Sequence, residues 1–243
     1  MAGHSKFANI KHRKGAQDAK RAKIFTRLIR ELIVAAKGGE DVNGNPRLRS
    51  AIIAAKAANM PKDKIENAIK KGSNSGEGDN YENFKYEAYG PGGSAFIVEV
   101  LTDNKNRTAS SVRAAFSKYG GSLAESGSVS FMFDHFGIIR YLKGGISEDE
   151  MFEVAVDAGS EGVDTEEGHY VISTDVVNFA KVRDVLIEKY GDPESLGLEW
   201  IAKDVIDVAE DKKEVLLKMI DVLEEDDDVQ NIYTNAGIGE VES

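Results

Sequence analysis

Apolar residues in the leading third of the chain recur at helical spacing. Ile24, Phe25, Leu28, Ile29, Leu32, Ile33 and Ala36 fall three and four apart, which predicts an amphipathic helix stopped by Lys37 and Gly38-Gly39. Asn45-Pro46 reads as the cap and first residue of a second helix with Leu48, Ile52 and Ile53 on its apolar face. Met60-Pro61 reads as the junction to a third, carrying Ile65, Ala68 and Ile69 and closing at Gly72. The polar run SNSGEGDN, 73–80, reads as a linker.

Beyond the linker the period changes. SAFIVEVLT (94–102) predicts a strand, NRTASSVRAAFSKYGG (106–121) a helix and SVSFMFD (128–134) a strand. From 136 to 203 the order runs strand (FGIIRYL), helix (SEDEMFEVAVDAG, opened by Ser147), short strand near Val163, strand (HYVISTD), helix (VVNFAKVRDVLIEKYG), strand (SLGLEWIAKD). That is the β-α-β-β-α-β order of a ferredoxin-like domain. The tail adds a helix, KKEVLLKMIDVLEEDDD, and a strand, VQNIYTN, which cannot bury themselves alone and need the incomplete unit at 94–134. The fold class expected is α+β. A three-helix domain at 1–74 precedes two ferredoxin-like domains, one at 81–135 plus 206–243 and the other, 136–205, inserted into it.

Charge changes the picture. The 243 residues carry a net charge of −11, from 31 Lys and Arg against 42 Asp and Glu. Residues 1–74 nevertheless hold 17 of those cations and six of the carboxylates, and residues 1–30 hold nine cations against Asp18 alone. An ordinary solvated helix face interleaves both signs, so this front end points to a polyanionic partner. On the first helix Lys20, Lys23, Arg27 and Arg30 share one side, opposite the apolar stripe, and Arg21 sits near the helix start on the apolar side. Lys6, Lys11, His12, Arg13 and Lys14 extend the basic segment upstream. Such a row displaces counterions from phosphates and supplies affinity with little sequence information. Two other readings compete: docking of the cationic front on the acidic body, and plain solvation.

The remaining motifs have plainer explanations. YGPGG (89–93) lacks the Gly-Lys-Ser/Thr ending of a phosphate loop and reads as a tight turn. TDNKNRT (102–108) reads as a helix cap, with phosphate binding through Lys105 and Arg107 as the alternative. EEDDD (224–228) reads as a fraying, solvated helix end. His4, His12, His135 and His169 are scattered with no metal-ligand spacing, and no carboxylate pairs with a histidine or serine in a catalytic pattern. There is no cysteine and no apolar run near the roughly 20 residues needed to span a bilayer. A cytoplasmic, non-enzymatic protein without cofactor, metal or small-molecule substrate is expected.

GHSKFANIKHRK, AQDAKRAKIFTRLIREL, NPRLRSAI, KAANMPKDKIENAIKKG, YGPGGSA, LTDNKNRT, SKYGG, GSVSFMF and LEEDDDVQNIYTN together resemble the YebC family, in order and over nearly the whole chain. Phe7 stands where that family usually has tryptophan, which weakens any base-stacking role, and LEWIAKDVIDV lacks a proline often found there. The resemblance implies one helical and two α+β domains. It implies a cytoplasmic DNA-binding transcriptional regulator or, in a competing view of the family, a ribosome-associated translation factor that helps synthesis through proline runs. DNA is the expected partner in the first case, ribosomal RNA with ribosomal proteins in the second.

Overall fold

The structure, a computed structural model, describes residues 17–74, 80–166 and 168–237, and of residues 17–21 the backbone alone. Three helices come first: α1 (Gln17–Ala36), α2 (Pro46–Ala57) and α3 (Lys62–Ser73). There follow β1 (Glu82–Tyr89), β2 (Ala95–Thr102), α4 (Lys105–Lys118), β3 (Ser122–Ala124), β4 (Phe133–Leu142), α5 (Glu148–Ala158), β5 (Gly162–Glu166) and β6 (His169–Asp175). The chain continues through α6 (Phe179–Tyr190), β7 (Ser195–Ala202), β8 (Ile206–Asp207), α7 (Glu210–Glu225), β9 (Val229–Thr234) and β10 (Ala236–Gly237). The fold is α+β, and no helix among the described residues is long and apolar enough to cross a membrane.

The described residues pack as two units. One holds those up to Arg27, those of 79–134 and those from Trp200 on; the other holds Leu28–Gly78 and His135–Glu199. In the first, the strands lie in the order β3-β1-β2-β9. All neighbours are antiparallel, and the C-terminal β9 closes the sheet against β2. Central β2, AFIVEVLT, is apolar almost throughout because both its faces are covered. Phe96, Val98 and Val100 pack under α4 and α7 with Phe116, Leu216 and Met219. Ala95 and Ile97 face Val129, Phe133 and Ala202 on the other side. The YGPGG segment turns β1 into β2, with Gly92 and Gly93 at φ 73° and 77°, a region side chains avoid.

In the second unit the order β5-β6-β4-β7 is the ferredoxin-like arrangement read from residues 136–203. Tyr141, Tyr170 and Ile172 meet Met151, Val182 and Leu186 of the two helices. The first sheet has the same spatial order of strands, with β1 moved to the front of the chain.

The helices of this unit are tied by buried polar side chains. Asn45 caps α2 by accepting from the Leu48 amide at 3.0 Å and donates to the carbonyls of Ala35 and Gly39 at 2.7 and 2.8 Å, fixing the α1–α2 corner. Arg183 of α6, 2% exposed, donates to the Pro46 carbonyl at 3.0 Å and to Ser50 Oγ at 2.8 Å, joining α2 to the inserted segment. Gly72 lies inside α3 rather than ending it. A Cβ there would stand 2.2 Å from the Ile33 carbonyl oxygen and 2.8 Å from Ala36 Cβ. Gly→Ala in a helix normally stabilises by about 1 kcal/mol. Here the close approach of α1 reverses the sign, and Gly72→Ala is expected to cost about 2 kcal/mol in urea denaturation.

Two expectations about elements are corrected. Of residues 128–134, expected as a strand, only Phe133 and Asp134 are in one: Ser130–Met132 form a 3-10 turn and β4 starts at Phe133. The amides of Gly127, Val129 and Ser130 bond the Glu87 carboxylate at 2.9, 2.8 and 2.9 Å, so no neighbouring strand can take them. And β1, on a stretch the sequence left without an element, is a full strand in register with β2 from Glu82 to Tyr89.

Candidate nucleic-acid interface

α1 runs without glycine or proline from Gln17 to Ala36, so its backbone carries Lys20, Arg21, Lys23, Arg27 and Arg30 on one continuous helix. Leu32, Ile33, Ala35 and Ala36 are buried, which fixes the inward face of its second half. Ile24, expected on that face, is 46% exposed. Lys23 and Arg30 are partly exposed. The side chains of Lys20 and Arg21, and all of Lys6, Lys11, His12, Arg13 and Lys14, lie outside the described residues.

Arg27 departs from the expected row. Its Nη2 donates to the main-chain carbonyl of Glu224 at 2.8 Å, at the end of α7. Burial lowers its pKa, and the carboxylates of Glu224, Asp227 and Asp226 act against that fall. The reason is electrostatic: the last carbonyls of α7 carry the negative end of its dipole, crowded by acids, and a guanidinium relieves both.

The acidic cluster itself is not a fraying end. Asp228 is 3% exposed. Its Oδ2 accepts from Thr102 Oγ1 at 3.0 Å, Thr108 Oγ1 at 2.6 Å and Arg107 Nη2 at 2.7 Å. Asp226 accepts from Ser111 Oγ at 2.6 Å and from the Asp228 amide at 2.9 Å. Asn104 caps α4 through the Arg107 amide at 3.0 Å. TDNKNRT and EEDDD, far apart in sequence, are thus two halves of one network. Arg107 is spent inside it: hydrogen bonds to Asp228 and Asp103 raise its pKa and hold it charged.

Elsewhere the front helices are neutralised selectively. Glu31 of α1 is clamped by Arg47 through two hydrogen bonds of 2.7 and 3.0 Å. Arg49 and Lys56 pair with Asp184 and Asp192 at 3.3 and 3.7 Å. α3 adds Lys62, Lys64, Lys70 and Lys71, all exposed, which the predicted set did not include. Their signal was present in KDK and KK at the two ends of that helix. His169 meets Glu194 at 2.6 Å, and among the described residues no group of three His, Asp or Glu side chains is placed to hold a metal ion.

Residues 5–75 match the model for the TACO1/YebC protein N-terminal domain, and residues 81–236 that for the TACO1/YebC second and third domain. A protein of Rickettsia bellii (strain RML369-C) named probable transcriptional regulatory protein is 49% identical over 237 residues, 97% of this chain and 94% of that one. A protein of Rickettsia rickettsii (strain Sheila Smith) with the same descriptive name is 49% identical over 239 residues, with the same two shares of 97% and 94%. The crystal structure of a conserved hypothetical protein from Aquifex aeolicus has a TM-score of 0.85 to this one at 41% identity, covering 98% of this chain and 100% of that chain.

Proposed function

The chain belongs to the TACO1/YebC family, and from that premise we propose that it is a non-enzymatic, cytoplasmic regulator of gene expression that acts by binding nucleic acid, with DNA as its target. The names of the Rickettsia relatives support a transcriptional role. The observation that carries the reading is the cationic front: 17 Lys and Arg against six Asp and Glu in residues 1–74 of a chain whose net charge is −11. Lys6, Lys11, His12, Arg13, Lys14, Lys20, Arg21, Lys23 and Arg30 grip phosphates in this reading, and Arg27 joins them only on release from α7. With six to nine phosphate contacts, log K against log salt on duplex DNA is expected to have a slope of roughly −5 to −8. A slope near zero would remove the reading.

A second reading has its own support. The rest of the chain carries 36 of the 42 carboxylates, and long duplex DNA repels such a body. A ribosome offers basic protein surfaces beside its RNA, which suits a translation factor. Sucrose-gradient sedimentation of a lysate at low and raised salt separates the two. Salt-sensitive comigration with ribosomes favours translation; recovery only with chromosomal fragments enriched in particular promoters favours transcription.

A further inference from the structure

Arg27 differs from two other arginines of the fold. Arg47 and Arg140 are satisfied in pairs, Arg47 by Glu31 and Arg140 by two hydrogen bonds of 2.5 and 2.8 Å to Glu199. Arg27 is not. It takes one main-chain carbonyl of α7, and among the described residues its Nε is buried with no hydrogen-bond partner. Three carboxylates, on Glu224, Asp226 and Asp227, attract it electrostatically. A guanidinium in this state is held by charge but lacks the two-pronged contact its geometry favours, and a phosphate group offers that contact. Asp226 and Asp228 are held by Ser111, Thr102, Thr108 and Arg107, partners other than Arg27.

We infer that the C-terminal end of α7 is an internal stand-in for phosphate: it holds Arg27 when no nucleic acid is bound, and a phosphodiester chain competes with it for that guanidinium. The inference rests on the nucleic-acid reading and adds a regulator to it. Affinity is held down by the acids that attract Arg27, Glu224 and Asp227 above all, and anything that covers or neutralises them frees one more cation.

The test compares binding of 30-base-pair duplex DNA and single-stranded RNA of equal length, by fluorescence anisotropy over a range of salt, for four proteins. They are the wild type, Glu224→Gln/Asp227→Asn, Arg27→Gln and the triple variant; Asp226 and Asp228 stay intact to keep the network. One added phosphate contact is worth about 0.7 log unit at 0.15 M salt. Neutralising the two acids is therefore expected to tighten binding about fivefold and steepen the salt slope by about one. In the Arg27→Gln background the same neutralisation is expected to change affinity less than twofold. An equal gain in both backgrounds means a general field effect and overturns the inference, as does no gain in either. A wild type that binds neither nucleic acid at low salt overturns the underlying reading with it, which the wild-type curve alone reveals. The Arg27 Nε–H resonance of the wild type gives a readout independent of variant folding. It shifts on saturation with oligonucleotide if the guanidinium changes partner, and stays in place if the inference is wrong.

Discussion

Replacing Lys20, Lys23 and Arg30 together with glutamate is expected to lower nucleic-acid affinity about 100-fold at 0.15 M salt and make the log–log salt slope shallower by about three. The magnitude follows from counterion release. Each phosphate neutralised contributes about 0.7 log unit at this salt, and three lost contacts give about two log units. The three positions follow one another at helical intervals on α1, opposite Leu32, Ile33 and Ala36, which are buried. Glutamate and lysine have similar helix propensities, so the backbone of α1 tolerates the exchange. Arg27 is left out because its guanidinium is engaged with Glu224. Affinity within threefold of wild type, in a variant with unchanged circular dichroism, would mean that this face of α1 does not meet phosphate.

The legible parts of this fold were those whose cause is local. β6 was read at its observed limits because HYVISTD is a short apolar run bounded by a turn signal and an aspartate. Ser147 and Asn45 were read as caps, and each accepts the amide three residues on, at 3.2 and 3.0 Å. Even the nested arrangement was accessible, since a tail of one helix and one strand must complete a sheet elsewhere. The illegible parts have distant causes. Asp228 looked like one more acid in a solvated run, because its partners Thr102, Arg107 and Thr108 are more than a hundred residues away. Arg27 had the helical phase of the row, and nothing near it in sequence announces α7. Gly72 looked like a stop because only the position of Ile33 shows why a side chain is excluded. β1 escapes the sequence reading because one of its two faces carries Lys85 and the buried Glu87, so the stretch reads as polar linker until β2 and the 127–130 turn are laid beside it.

Glu87 carries the largest expected effect on stability. Its side chain is 1% exposed and accepts three backbone amides, with Lys85 Nζ at 3.3 Å. Burial pushes its carboxyl up, but the three amides and Lys85 outweigh burial and bring it from 4.5 down to about 2. A carboxyl whose pKa is depressed by folding stabilises the folded state above its unfolded pKa, and that contribution disappears as pH falls through the folded value. The difference between 4.5 and about 2 corresponds to about 3 kcal/mol, present in full above about pH 5.5 and lost towards pH 2. Glu87→Gln cannot accept three donors and turns its own amide towards one of them. It is expected to cost about 3 kcal/mol at pH 7 by urea denaturation. The gap between variant and wild type should then close by about 1.4 kcal/mol per pH unit below pH 4.5, because the protonated wild type comes to resemble the variant. A gap independent of pH would show that Glu87 acts by shape rather than charge. The turn it holds leads from the first sheet into β4, so the same titration should loosen residues 125–132 first, visible as faster amide exchange at Gly127, Val129 and Ser130 as the pH falls from 4.5 towards 2.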